Sequence, residues 1–336
     1  MDAADLDAAG PVASLLAEAY GVRVGRVERV PAGTATDNFV ATGGDGTRLF
    51  VKAYRTLAEV PAARAAAALT EFAGRGGTPV PHLHRTARGK VIARGHGLVA
   101  SVWAFVDGAR TAEGGLRGDL WSAVGTAVGR LHRHLATHPS ALPTTRPAAG
   151  LVDVGAATAR YDRLLDEYRR RGVEDDFEAW ARDALAERRA LLPRVGRMLA
   201  ALPPLTVQTL HGDLAAPNVL LRGDAVAAVI DFQPPTEGYL AWEVARIACD
   251  PRTLVTNPGW RDGLPALLDA YRLAHPAVRP DDLAAVVAAG SAYTLASTYP
   301  LGAPVHEPGT VDDTLRTYAR QRHDAALVML DEVTAA

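Results

Sequence analysis

The sequence predicts an α+β protein of two lobes, a small antiparallel β-rich lobe with one packed helix and a larger, mainly helical lobe. Three observations carry that prediction. Residues 22–105 read as about five short strands broken by glycine turns, with one alanine-rich helix among them. Beyond Asp107-Gly108 the apolar residues recur at helical spacing. Within that helical half, residues 205–232 form a compact β-rich island. At 336 residues, 48% of them hydrophobic, the chain has material for about two domains.

The N-terminal lobe is expected over residues 1–106 and opens with a short helix. Residues 22–30 alternate apolar side chains with Arg or Glu, the pattern of a half-exposed strand. Residues 38–42 and 47–54 are further strands, and Gly43-Gly44-Asp45-Gly46 between them is a hairpin signal. A helix is predicted over 58–74, stopped by Gly74-Arg75-Gly76-Gly77. Pro79-Val80-Pro81 restarts extended chain, with strands expected near 90–93 and 97–105. The C-terminal lobe, 107–336, begins with a helix over 116–135 that places Leu120, Val124, Val128, Leu131 and Leu135 on one face. Two charged helices follow within 156–202, then the island, then helices at 240–249, 260–274, 281–298 and 311–334.

Composition excludes several classes. Lys and Arg number 36 against 38 Asp and Glu, a formal charge of −2, which gives no global grip on nucleic acid or anionic lipid. There is no run of 18 apolar residues, so no membrane span is expected. Met1-Asp2-Ala3-Ala4-Asp5 lacks the order of a signal peptide, and a cytoplasmic protein is expected. Cys249 is the single cysteine, which rules out an internal disulfide framework and a cysteine-built zinc site. Nothing in the sequence fixes an oligomeric state. Lysine is confined to Lys52 and Lys90 and asparagine to Asn38, Asn218 and Asn257, which raises each of them slightly as a functional candidate.

The island carries the chemistry. It reads Leu210-His211-Gly212-Asp213, then Pro217-Asn218, then apolar runs 219–221 and 226–230 around Arg222-Gly223-Asp224, and ends in Asp231-Phe232. A hairpin over those runs brings Asn218, just before it, near Asp231, just after it. Asp213 lies on the preceding loop, shaped by Gly212 and Pro217. Few, hard oxygen donors suit Mg²⁺, which keeps waters and phosphate oxygens in its other positions. Phosphoryl transfer needs a metal, a carboxylate that orients the attacking hydroxyl, and a cation for the other phosphates. Asn218 and Asp231 supply the first and Asp213 the second. Lys52, closing Leu49-Phe50-Val51-Lys52 and pointing into a cleft between lobes, supplies the third. A lone His-Gly-Asp reads first as a backbone-bonded turn; the added Asn218, hairpin and Asp231-Phe232 turn the reading to the chemistry.

These motifs resemble the aminoglycoside phosphotransferase family, grouped with choline and homoserine kinases in the small-molecule branch of the protein-kinase-like fold. The match rests on His211-Gly212-Asp213 with Asn218, and on Asp231-Phe232. The resemblance implies a two-lobed kinase-like fold, with ATP or GTP as co-substrate and Mg²⁺ as cofactor. Asp213 then corresponds to the catalytic base, Asn218 and Asp231 to the metal ligands, and Lys52 to the lysine on the α- and β-phosphates. Gly33 and Thr34 fall in the phosphate-covering loop, and Trp103, Ala104 and Phe105 in the strand whose backbone holds adenine. Leu131-His132 resembles the pair that closes the first large-lobe helix.

Three departures stand beside the match. The helix stretch Ala63-Arg64-Ala65-Ala66-Ala67 lacks the family's carboxylate, which leaves Glu59 or Glu71 as partners for Lys52. The phosphate-covering loop has one glycine. Gln233-Pro234-Pro235 stands where a glycine is usual, and its stiffness argues against a mobile activation loop. The function expected is Mg²⁺-dependent transfer of a γ-phosphoryl group to a hydroxyl of a small molecule, an antibiotic or related natural product. Acidic residues in the 156–202 helices, Glu174, Asp175, Asp176 and Glu178, would meet amino groups of such an acceptor. An amino alcohol, an amino acid or a peptide Ser/Thr are alternatives, and a silent nucleotide-binding scaffold is the alternative of another class.

Overall fold

The computed structural model of the protein describes residues 3–30, 36–257 and 259–335. Along the chain, helix α1 (Ala3–Leu15) leads into strands β1 (Val24–Val30), β2 (Thr36–Gly43) and β3 (Arg48–Tyr54), then helix α2 (Val60–Arg75). Strands β4 (Leu83–His84), β5 (Ala93–Gly95), β6 (Leu98–Ala104) and β7 (Arg110–Thr111) follow. Next come α3 (Leu120–Leu135), β8 (Thr144–Arg146), α4 (Val154–Arg171), α5 (Asp176–Ala201) and β9 (Leu205–Leu210). Strands β10 (Val219–Arg222), β11 (Ala225–Val229) and β12 (Thr236–Tyr239) precede α6 (Leu240–Ala248), α7 (Pro251–Thr256) and α8 (Trp260–Ala274). The chain closes with α9 (Pro280–Ala284), α10 (Val286–Ala296), α11 (Ala303–His306) and α12 (Asp313–Ala335).

Two compact units emerge. The first comprises Met1–Arg110, His211–Asp213 and Asn218–Pro235, and the second the remainder. In the first, the sheet runs β1-β2-β3-β6-β4, and β5 pairs with β6 along the same edge as β4. The β2–β3 hairpin turns where the glycines predict. Asp45 accepts from the Thr47 amide at 2.9 Å and Gly46 takes a positive φ of 82°, a conformation glycine adopts without strain. Alternation along β3 buries Leu49, Val51 and Ala53 and leaves Lys52 on the other face. The buried face packs on Val12, Leu15 and Leu16 at the N-terminal helix.

Two local expectations change. The strand expected near 90–93 lies at Ala93–Gly95, because Thr86 and Lys90 close a turn with the Thr86 amide donating to the Lys90 carbonyl at 2.9 Å. The helix expected over 281–298 is two helices, α9 and α10. The segment 211–213 and 218–235, expected with the C-terminal lobe, packs with the N-terminal unit. The reason is backbone bonding: the Val229 amide donates to the Pro79 carbonyl at 2.8 Å, and Arg222 donates to the Asp107 carbonyl.

The second unit is helical, apart from the antiparallel sheet β12-β9-β8. Its core joins α4, α5, α10 and α12 through residues such as Tyr161, Leu185, Leu192, Leu295 and Leu330. Helices α3 and α8 approach closely because Gly125, Gly129 and Gly263 carry no side chain. A Cβ on Gly125 would lie 2.1 Å from the Leu267 carbonyl oxygen. Among the described residues no helix is long and apolar enough to cross a membrane.

Candidate active site

The β10–β11 hairpin does the positioning. Val219 pairs with Val229 and Leu220 with Ala228, and the Ile230 amide donates to the Asn218 carbonyl at 2.9 Å. That last bond sets Asn218 beside Ile230, one residue before Asp231. The Asn218 amide nitrogen donates to the Asp213 carbonyl at 2.8 Å and to Asp213 Oδ2 at 3.1 Å. With its nitrogen so engaged, Asn218 has its Oδ1 left for a further ligand. Asp231 sits at φ 63°, a left-handed backbone uncommon for a non-glycine residue and often found where a side chain must be aimed. Its Oδ1 meets the ammonium of Lys52 in a short ion pair.

His211 holds the loop. It is fully buried, its Nε2 donates to the Ile230 carbonyl at 2.9 Å, and its Nδ1 accepts from the Asp213 amide at 3.1 Å. This pattern is that of a neutral imidazole protonated at Nε2. Phe232 packs on the ring with centroids 4.2 Å apart. Gly212 takes φ 90°, and a Cβ there would lie 2.7 Å from Gln233 Cβ, while the Gln233 amide donates to the His211 carbonyl at 2.9 Å. His211 therefore has a fixing role and no exposed nitrogen to offer a substrate.

Lys52 lies opposite Asn38 on β2 and Ser101 on β6. Neither carboxylate considered for it reaches it. Glu59 accepts from Thr56 Oγ1 at 3.0 Å, and Glu71 is held by Arg85 through two bonds of 2.8 Å. The partner of Lys52 is Asp231. Gly33 and Thr34 lie outside the described residues. Trp103 and Ala104 are in β6 and Phe105 follows it. The Ala104 amide donates to the His82 carbonyl at 2.8 Å and the Phe105 amide to the Arg48 carbonyl at 3.1 Å. Two of the expected backbone donors are thus engaged within the sheet. The Arg48 guanidinium lies 3.8 Å over the Phe105 ring and bonds Asp107 at 2.9 Å, which stiffens this segment.

A cation fits the donor set. Among the described residues no cluster of three or more His, Cys, Asp or Glu is arranged to hold a metal. Two side-chain oxygen donors, with water and phosphate oxygens completing the shell, is the habit of Mg²⁺ rather than of Zn²⁺ or Ca²⁺.

The family model described as the phosphotransferase enzyme family matches residues 26–281. The chain belongs to that family. No curated protein matches the chain by sequence. Among solved structures, a spectinomycin phosphotransferase in complex with ADP and spectinomycin superposes with a TM-score of 0.65 at 12% identity, over 96% of this chain and 98% of that one. An aminoglycoside phosphotransferase from Alicyclobacillus acidocaldarius subsp. acidocaldarius DSM 446 gives 0.58 at 16% identity, over 96% and 95%. A type I macrolide 2'-phosphotransferase gives 0.56 at 18%, over 96% and 97%. These likenesses establish the protein-kinase-like fold.

Sequence reasoning about this phosphotransferase missed several supporting residues. Ser101 is fully buried beside Lys52, bonded to Tyr54 Oη and Trp103 Nε1, each at 2.9 Å. No local pattern marks it, because its partners come from another strand and from two residues along. Burial pushes the Tyr54 hydroxyl up, with the Asp231 carboxylate adding to the shift. In the helical unit, His132 is wholly buried and joined to Glu243 Oε2 at 3.0 Å and Tyr271 Oη at 2.8 Å. Glu243 is 1% exposed and bonded to His132 on α3. The leucine-histidine pair was the available signal for that link.

Proposed function

We infer that the protein transfers the γ-phosphoryl group of ATP or GTP to a hydroxyl of a small molecule. The observation that carries this reading is the convergence of Asp213, Asn218, Asp231 and Lys52 within one unit, held by the hairpin and His211. Asp213 serves as catalytic base. Asn218 anchors its Oδ2, and the carboxylate so held orients the acceptor hydroxyl and takes its proton as that hydroxyl attacks the γ-phosphoryl group. A carboxylate is a weak base toward an alcohol, so orientation carries most of this effect. Lys52 binds the α- and β-phosphates when nucleotide is present. Asn218 Oδ1 and Asp231 are the residues that would hold Mg²⁺, which when bound neutralises the phosphate oxygens. The backbone of Trp103, Ala104 and Phe105 is the part of the chain we assign to adenine. The reading places the enzyme in the cytoplasm.

The acceptor is an antibiotic or related natural product, a reading supported by the spectinomycin and macrolide phosphotransferases among the similar structures. Two of the four carboxylates in the run 174–178 are already engaged. Glu178 is buried against Arg171 at 2.8 Å, and Asp175 caps α5 and pairs with Arg316 at 2.7 Å. An acceptor screen with labelled ATP and Mg²⁺, on wild type and Asp213→Asn, tests the proposal. Turnover should fall about 10²–10⁴-fold in the variant with nucleotide affinity retained. Equal turnover in both proteins would remove Asp213 from the role.

A further inference from the structure

Lys52 takes its direction without help from α2, since Glu59 and Glu71 are held by Thr56 and Arg85. A lysine is a compact charge on a flexible four-carbon stem, and one ion pair at its tip, here with Asp231, does not fix the path of the stem. The strands on either side of β3 supply what is missing. Lys52 stands directly opposite Asn38 on β2 and Ser101 on β6, so these three side chains share one face of the sheet. Along β3 the same face carries Phe50 and Tyr54, two residues before and two after. Phe50 is opposite Trp103, and Tyr54 is opposite Thr36. Lys52 thus rises from a ring of side chains contributed by three strands.

That ring is polar at the level of Lys52 and bonded within itself. Ser101 is 0% exposed, and Asn38 and Thr36 are 6% and 7% exposed. Ser101 Oγ accepts from Trp103 Nε1 at 2.9 Å and bonds Tyr54 Oη at 2.9 Å. On the opposite side of Lys52, Thr36 Oγ1 donates to Asn38 Oδ1 at 3.0 Å. One row further along the same face, Val40, Phe50 and Trp103 stand side by side, so the buried polar groups gather where the lysine is. Packing alone gives no reason for them, because each buried hydroxyl or amide has to be supplied with a partner. A satisfied polar network does rigidify what it surrounds. Ser101 ties a ring from the lysine's own strand, Tyr54, to a ring from β6, Trp103, so neither ring swings across the path of the stem. We propose that Ser101, through its bonds to Tyr54 and Trp103, is a positioning residue that aims the Lys52 ammonium at the nucleotide phosphates in place of the carboxylate that α2 lacks. The proposal rests on the phosphotransferase reading, in which Lys52 binds the α- and β-phosphates.

Calorimetric titration of the full chain with a non-hydrolysable ATP analogue and Mg²⁺ tests this without an acceptor. Lys52→Met is the reference and should weaken the analogue at least about tenfold, as loss of a charge-assisted bond does. Ser101→Ala should weaken it about threefold to tenfold, the range expected for one buried hydrogen bond. Tyr54→Phe removes the same bond from its other end while keeping the ring. It should show the same loss, and it stands in for Ser101→Ala if that protein does not fold. The double variant separates aiming from mere support of the sheet. With Lys52→Met already present there is no ammonium left to aim, so adding Ser101→Ala should change affinity less than about twofold. A residue that only supports the sheet would cost the same factor in both backgrounds. The proposal is overturned, with Lys52 kept on the phosphates, if Lys52→Met loses the analogue while Ser101→Ala and Tyr54→Phe bind like wild type. It is overturned equally if the losses of Lys52→Met and Ser101→Ala multiply. Wild-type binding by Lys52→Met is a different failure: it removes Lys52 from the phosphates, and the proposal goes with it.

Discussion

Gly212→Ala puts the loop geometry to a quantitative test. Two effects add at this position. The backbone stands at φ 90°, where an L side chain costs about 1–2 kcal/mol. The new Cβ would also lie 2.7 Å from Gln233 Cβ and 3.1 Å from its Cγ, an overlap worth about 1–3 kcal/mol in a packed setting. The sum is about 2–5 kcal/mol, to be read as a shift in the urea midpoint at unchanged m-value. Because Asp213 follows directly, turnover should fall further than stability alone explains, by displacement of its carboxylate from the acceptor. Gln233→Gly in the Gly212→Ala background removes the overlap but not the φ penalty. It should therefore restore the steric part, about half of the loss. A Gly212→Ala protein within about 0.5 kcal/mol of wild type, with wild-type turnover, would refute this account of how the loop is held.

Other perturbations have defined outcomes. Lys52→Met removes a charge-assisted contact to phosphate, worth about 1.5–3 kcal/mol, and should raise KM for ATP about 10–100-fold in steady-state assays. Gly125→Ala forces a Cβ to within 2.1 Å of the Leu267 carbonyl and should cost about 3 kcal/mol, seen as a lowered Tm with catalytic constants unchanged at low temperature. Acid should destabilise the fold through His275, which burial holds down at about 4 and whose neighbours His132 and Arg133 add to the shift. Between about 4 and the unfolded value near 6.5 the unfolded chain binds more protons, so this stabilisation is complete above pH 6.5 and is lost as the pH falls toward 4. The limit is about 3 kcal/mol, and His275→Gln should flatten a plot of urea midpoint against pH over that window.

The fold class, most elements and the hairpin that unites Asn218 with Asp231 were legible from patterning, because strand alternation and turn glycines are local signals. What was hidden is long-range. That Glu71 turns to Arg85 depends on how α2 meets the chain around residue 85, which no spacing rule encodes, whereas Glu59 follows Thr56 at the three-residue spacing of a capping pair and was legible as such. The engagement of the Ala104 and Phe105 amides follows from strand neighbours, and the role of Ser101 from a partner 47 residues away. The acidic run at 174–178 looked available because its arginine partners, Arg171 and Arg316, sit seven residues before Glu178 and 141 residues beyond Asp175.

Only Gln233, Pro234 and Pro235 separate Asp231-Phe232 from the start of β12 at Thr236, and two of those three have a ring-fixed φ. The aim of the Asp231 side chain is therefore set by a short, stiff stretch of backbone and needs no long loop to become ordered first.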